Sequence, residues 1–159
     1  MITIHGTTTI QAPIDRCFRL SVSIDIVAAT LARIGLRPTA GITRGEIAAN
    51  ETVTWHAPLL RTTHRSHISG YTFPTYFQDT MLEGRFTFFQ HDHHLAATPE
   101  GTRLTDEIRF IAPFGPFGRL AERTFLKPLA TRLLSHRFAQ LKRIAEDDSP
   151  TGWKRYLQP

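Results

Sequence analysis

At 159 residues, with 41% of them hydrophobic, the chain is long enough to bury one core without metal or disulfide support and too short to make a second domain the default. Cys17 is its only cysteine, which excludes an intrachain disulfide and a stapled secreted fold. The formal net charge is +5 and rests on sixteen Arg against three Lys; these are dispersed, without zinc-finger spacing or a basic-aromatic recognition signature, so a nucleic-acid partner is not expected, whereas an anionic membrane surface is compatible with the charge. No run approaches the roughly 18 apolar residues of a membrane span, and Met1-Ile2-Thr3-Ile4-His5-Gly6 lacks the layout of a signal peptide, so a cytoplasmic location is expected.

Ile2, Ile4, Thr8 and Ile10 alternate in a run that extends to Gln11, the period of a half-buried strand. Pro13 then sits at a helix start, where its missing N–H is not needed, and Arg16 to Ser21 is the short helix that follows. Ile24, Val27, Ala28, Leu31, Ala32 and Ile34 recur at three- and four-residue steps, a second helix that Gly35 is placed to end. From Pro38 the pattern changes to strands separated by turn residues, over Ile42 to Ala48, Glu51 to Leu60, Arg61 to Phe73 and Thr75 to Leu82. A long hairpin comes next, its arms Gly84 to Leu95 and Thr102 to Phe110 joined across Thr98-Pro99-Glu100-Gly101. Links this short between consecutive strands imply an antiparallel sheet, because parallel neighbours need long crossovers.

Pro113-Phe114-Gly115-Pro116-Phe117-Gly118 breaks the last strand and a long helix begins. Leu126, Leu129, Ala130, Leu133, Leu134, Phe138, Leu141, Ile144 and Ala145 form one apolar stripe at helical spacing, with Arg119, Arg123, Arg132, Arg137, Lys142 and Arg143 mainly off it. Pro128 deletes a backbone hydrogen bond and is expected to kink or split the helix, leaving Pro116 to about Lys127 as a separable segment. The expected organisation is a single α+β domain over residues 1–146 and a tail over 147–159. Seven antiparallel strands curve around the long C-terminal helix, and two short helices follow the first strand. An apolar helix laid across a strongly bent sheet often leaves the concavity unfilled, so a pocket between them is expected.

The same order of elements, and several motifs, resemble the SRPBCC superfamily, the START-like helix-grip binders, and within it a group of small bacterial cyclase/dehydrase-like proteins. The residues that carry the resemblance are Gly45-Glu46, Glu51-Thr52-Val53-Thr54-Trp55, Phe77-Gln78-Asp79-Thr80-Met81 and Gly84-Arg85-Phe86. They continue with Phe89-Gln90-His91-Asp92-His93, Gly101-Thr102, Thr105-Asp106, Pro113-Phe114-Gly115 and Gly118-Arg119-Leu120-Ala121-Glu122. The likeness runs from about Gly41 to Leu157. Pro58-Leu59-Leu60 departs from the group, which has a His-Phe-Gly-like turn after the Trp strand. The resemblance implies a helix-grip fold with a cavity. Members bind or carry lipids, quinones, hormones and polyketides, and some catalyse cyclisation or dehydration without one shared catalytic set.

Alternation places Phe89, His91, His93 and Leu95 on one face of the hairpin, and Leu104, Asp106, Ile108 and Phe110 on one face of its return arm. Two imidazoles about 7 Å apart along a strand then admit three readings. They can be buried neutral histidines satisfied by Asp106, donors and acceptors to a mostly apolar guest, or two metal ligands with Asp79 or His64 as the third. Asp79 shares a face with Phe77 and Met81, where a carboxylate must be paired or protonated. Trp55, His64, Phe77, Asp79, Phe89, His91, His93 and Asp106 are therefore the candidate ligand-binding set. Cys17 reads as a small buried hydrophobe, no phosphate loop or nucleophile elbow occurs, and the sequence supplies no obvious third ligand to the histidine pair, so no metal or organic cofactor is expected. The leading expectation is the binding of a small hydrophobic or lipid-like molecule between sheet and C-terminal helix. The alternative is a polyketide cyclase or dehydratase in the same cavity, with His91, His93 and Asp79 or Asp106 as acid/base groups.

Overall fold

A computed structural model describes residues 1–58, 61–149 and 152–157. Strand β1 (Ile2–Ile10) buries Ile4 and Ile10 and turns His5, Thr7 and Thr9 to water, as the alternation requires. Helix α1 (Ile14–Ser21) follows Pro13 and buries Cys17, Phe18 and Leu20 on one side. Helix α2 (Ile24–Leu31) tightens into a single 3₁₀ turn over Ala32–Ile34, ended by Gly35 in the left-handed region at φ 76°.

Six strands follow, β2 (Arg37–Gly41), β3 (Thr52–Ala57), β4 (Thr62–Thr72), β5 (Tyr76–Glu83), β6 (Phe88–Thr98) and β7 (Gly101–Ile111), and the sheet runs in the order β1-β7-β6-β5-β4-β3-β2 with every neighbouring pair antiparallel. The first of the six differs from expectation: β2 is Arg37–Gly41, and the segment 42–48 is irregular. Glycines at positive φ, Gly41 at 73° and Gly45 at 71°, break extension there. The segment ties instead to the junction of α1 and α2, where Ile24 N–H donates to Gly45 C=O at 2.8 Å and Ile47 N–H to Val22 C=O at 3.0 Å. Pro38 lies in β2 because that strand is an edge, where a missing donor is tolerated. Strands β3 (Thr52–Ala57), β4 (Thr62–Thr72) and β5 (Tyr76–Glu83) sit close to the predicted positions. Leu59 and Leu60, the predicted end of the Trp strand, lie outside the described residues.

The hairpin arms are β6 (Phe88–Thr98) and β7 (Gly101–Ile111). Their register pairs Phe89 with Phe110, His91 with Ile108, His93 with Asp106 and Leu95 with Leu104, merging the two predicted faces into one. The first arm begins at Phe88 rather than at Gly84.

The C-terminal helix is continuous over 31 residues. It comprises α3 (Gly115–Ala121), a wide i→i+5 turn over Glu122–Leu126 and α4 (Lys127–Ala145). Pro128 neither breaks nor splits it. The proline falls in the first turn of α4, where the wide turn has already displaced the hydrogen-bond ladder that its missing N–H would interrupt. The apolar stripe divides along its length: Leu134, Phe138, Leu141, Ile144 and Ala145 are buried in the core, whereas Leu126, Leu129, Ala130 and Leu133 face a cavity. Arg137, grouped with the basic residues mainly off the stripe, is buried at 7% exposure. Beyond the helix the chain folds back, and Trp153 lies under the Arg16 guanidinium at 4.4 Å from the ring centre. Among the described residues, no helix is long and apolar enough to cross a membrane.

Candidate functional site

The curved sheet does not close on the helix. A cavity of about 630 Å³ lies between them, walled by α2, the concave face of β3 to β7, α3 and the first turns of α4. Most of its wall is apolar, from Val27 and Leu31 on α2 through Trp55, Phe86 and Phe89 to Leu133 on the long helix. One end is polar, and it is assembled from Ser66, Asp79, His91, His93 and Arg137.

Register builds this pole. Asp79 on β5 is paired with His91 on β6, and His93 on β6 with Asp106 on β7, so two carboxylates and two imidazoles run across three adjacent strands on one face. Asp106 is in turn paired with Gly6 on β1. A Cβ on Gly6 would come within 2.7 Å of Leu134 and 2.8 Å of Phe138, so glycine lets α4 lie close on the sheet just beside Asp106. That close approach brings Arg137 in.

The Asp106 carboxylate, fully buried, faces both imidazoles at 3.0 Å, Oδ2 toward His91 Nε2 and Oδ1 toward His93 Nδ1. Arg137 Nε is 3.9 Å from Asp106 Oδ2, and its Nη2 donates to the Ser21 carbonyl at 2.9 Å. Burial alone would raise the Asp106 carboxyl; the facing imidazoles outweigh it and hold the group well below the usual carboxylate range. Burial pushes His93 down to about 3, against the opposing pull of Asp106, so the ring is neutral. Its ring is also stacked on Phe77, with centroids 4.0 Å apart and planes at 13°. Burial lowers Arg137, opposed by Asp106 and Asp79.

Asp79 behaves differently. Burial raises its carboxyl to about 6, against the lowering effects of His91, a hydrogen bond from Ser66 Oγ at 3.2 Å, and Arg137. Among the described residues its Oδ1 has no hydrogen-bond partner, and neither His93 Nδ1 nor Asp106 Oδ1 has one of good alignment. Buried polar atoms left open are rare enough in a folded chain to require an explanation. Asp79 belongs to the cavity's polar end, where a guest can reach the carboxyl, whereas His93 Nδ1 and Asp106 Oδ1 face each other behind it.

The candidate set is thus largely brought together. Trp55, His64, Phe77, Asp79, Phe89, His91 and His93 all line the cavity, while Asp106 stands behind the two histidines. His64 lies edge-on to Phe89 at 5.2 Å and burial lowers it to about 4, so it is a neutral wall group. Neither His64 nor Asp79 completes a metal-ligand set with the histidine pair. The donor atoms that converge, all within 4.8 Å of one another, belong to His91, His93 and Asp106. Two imidazoles and a carboxylate fit a divalent cation chemically, but Arg137 places a second positive charge beside the same carboxylate.

Sequence reasoning missed Arg137 and Ser66. A signal for the arginine existed: it stands four residues from Leu133 and from Leu141, in line with apolar neighbours rather than opposite them. Nothing comparable marked Ser66.

The convex face of the same hairpin carries a second polar cluster. Asp92 accepts from Tyr76 Oη at 2.8 Å, Gln78 Nε2 at 2.6 Å, Gln90 Nε2 at 2.8 Å and Arg109 Nη2 at 2.9 Å. Burial would raise this carboxyl, but the four donors bring it down to about 2.

Solved structures share the fold. TTHA0849 from Thermus thermophilus superposes with a TM-score of 0.67 at 17% identity, over 89% of this chain and 94% of that one. The KanY protein reaches a TM-score of 0.69 at 12% identity, over 92% and 98%. Ara h 8.0201, a Bet v 1-like helix-grip protein, reaches 0.57 at 14% identity, over 88% and 97%. No family model and no curated protein matches the sequence. At these identities the likeness carries the fold alone. That fold is a helix-grip, a seven-stranded curved antiparallel sheet with a long C-terminal helix.

Proposed function

We propose that the protein binds one small, mostly apolar molecule bearing a hydroxyl or carbonyl group, in the cavity between the sheet and the C-terminal helix. The observation that carries this reading is a cavity of about 630 Å³, apolar along most of its wall, whose polar end holds an open acceptor on Asp79. That layout, an apolar container with few converging polar groups, is the usual one for a lipophile site. The apolar body of the guest would occupy the space by Leu31, Trp55 and Phe89, and its polar group would meet Asp79 and His91.

Native mass spectrometry of the purified protein should find a co-purified small molecule. Independently, β-naphthol, which has a fused apolar ring system and one hydroxyl, should bind more tightly than naphthalene. Equal binding of the two, or of neither, would overturn the reading.

One observation favours a second reading, an enzyme of the cyclase or dehydratase kind, as in the cyclase/dehydrase-like group that the sequence resembles. A carboxyl held at about 6 beside an imidazole whose other partner is a carboxylate is suited to moving a proton near neutral pH. Asp79 would give or take the proton at the guest oxygen, and Asp106 would orient His91. Turnover of a hydroxylated polyketide by the protein, abolished in Asp79→Asn, would establish this reading over simple binding.

A further inference from the structure

Four large apolar side chains stand in water within twelve residues of the chain. Phe114 is 83% exposed, Phe117 82%, Leu120 62% and Phe125 62%. Isolated exposed apolar residues need no explanation, but a contiguous group marks an interaction surface. Their display is fixed by packing on the opposite side of the segment. Gly118 is pressed so closely on the Pro113 carbonyl that a Cβ would lie 1.9 Å from its oxygen. One turn further on, the buried Glu122 accepts the Ala112 N–H through Oε1 at 2.7 Å. With Gly118 and Glu122 held inward, Phe117 and Leu120 are held outward. Phe114 reaches solvent from a left-handed backbone, φ 69° and ψ 29°, that bulky residues rarely adopt.

Cations occupy the same turns. Arg119, Arg123 and Lys127 are exposed, and among the described residues none of them forms an ion pair with a carboxylate. The only acidic residue between Phe114 and Lys127 is Glu122, which is turned inward. Phe114, Phe117 and Phe125 also line the cavity, so an exposed apolar group and the cavity mouth are one place.

We infer that this end of the molecule docks on an anionic lipid surface. Phe114, Phe117, Leu120 and Phe125 enter the boundary between headgroups and acyl chains, and Arg119, Arg123 and Lys127 face the headgroups. Aromatic and aliphatic residues on one side with cations beside them are the makeup of an interfacial helix. A second copy of the chain fits worse, because a symmetric contact would set the arginines of the two copies against each other. A bilayer also makes sense of the mouth's position. The proposal rests on the cavity reading to that extent: an apolar guest entering or leaving there would pass between cavity and acyl chains without crossing water.

The experiment is co-sedimentation of the full chain with vesicles of phosphatidylcholine alone and of phosphatidylcholine mixed with phosphatidylglycerol. Binding is expected to the mixed vesicles, to fall as salt rises, and to be weak on phosphatidylcholine. The double variant Arg119→Gln, Arg123→Gln should bind roughly thirty-fold more weakly, since each cation near an anionic surface contributes about a factor of five. Phe117→Ser with Leu120→Ser should reduce binding by at least about ten-fold. All four positions are exposed, so urea midpoints should stay at the parent value, and the arginine variant should bind β-naphthol as the parent does. Absence of vesicle binding, or equal binding by parent and variants, overturns the docking. So does concentration-dependent self-association in sedimentation velocity that the Ser variant abolishes, or capture of an acidic protein with no affinity for vesicles. Naphthol binding without vesicle binding would leave the cavity reading standing, and vesicle binding without naphthol binding would remove only the cavity reading.

Discussion

Two carboxylate clusters occupy opposite faces of the same sheet, and they differ in how completely they are satisfied. On the convex face Asp92 receives four hydrogen bonds, and its carboxyl falls to about 2. On the concave face Asp79 has one donor, an oxygen with none and a carboxyl raised to about 6, although it lies on the strand beside His91 and near a buried arginine. Strand pairing could have saturated both, because each carboxylate has polar neighbours on adjacent strands. The convex set is closed on itself, as a group that only holds strands together should be. The concave set is open toward a cavity, and an unsatisfied buried acceptor persists where something else completes it.

The largest effect should come from Asp106→Asn. The change leaves the buried Arg137 charge without the carboxylate it faces at 3.9 Å, and breaking a buried pair from one side costs about 3–5 kcal/mol. Asp92→Asn on the convex face should cost only about 1–2 kcal/mol, because Arg109 and the two glutamines can turn to water. Urea denaturation of both variants checks the comparison, and equal losses would erase the distinction between the faces.

Asp79→Asn should act in the opposite direction at neutral pH. Its folded value of about 6 lies above the unfolded value of 3.8, so the folded state binds the proton more tightly. The stability contributed by Asp79 is therefore present below the unfolded value and lost as pH rises through about 6, a loss of about 3 kcal/mol for a shift of this size. The asparagine variant should exceed the parent in stability by up to that amount at about pH 8, with the gain vanishing near pH 4. Urea midpoints at the two pH values decide it; a gain independent of pH would mean that Asp79 is ionised in the fold.

How far the sequence carried this picture depended on the period of each signal. Strand alternation placed His91, His93 and Asp106 on one face, because a period of two leaves no other arrangement once the hairpin register is set. The same logic put Asp79 one strand away. Arg137 is harder to see because a single apolar stripe does not show that the helix serves core, cavity and water along one length. The strand expected at Ile42 to Ala48 failed for a tertiary reason: two left-handed glycines and the junction of α1 and α2 claim that segment's hydrogen bonds. The wide turn before Pro128 has no sequence signature beyond the proline itself.

A smaller effect, on binding, is expected at His91. In His91→Phe the ring volume is roughly kept and the hydrogen-bonding edge is lost, so β-naphthol should bind about 1–2 kcal/mol more weakly while naphthalene is unaffected. Fluorescence titration of both compounds separates the polar contribution from the apolar one. A parallel loss for naphthalene would place His91 among the wall groups rather than at the polar pole.

The smallest effect should come from Gln90→Ala. Gln90 is one of four donors to Asp92, and its removal leaves Oδ2 still held by Arg109 at 2.9 Å and Oδ1 by Tyr76 and Gln78. One donor among four, on a surface where water can replace it, is worth about 0.5–1 kcal/mol. Because the side chain points away from the cavity, β-naphthol affinity should not change. That second readout gives the variant its force: Gln90 lies on β6 immediately before His91, so a strand distortion reaching across the sheet would move both stability and binding. If naphthol affinity fell along with stability, the two faces of the hairpin would be mechanically coupled. The open set on the concave side would then owe part of its geometry to the closed set behind it.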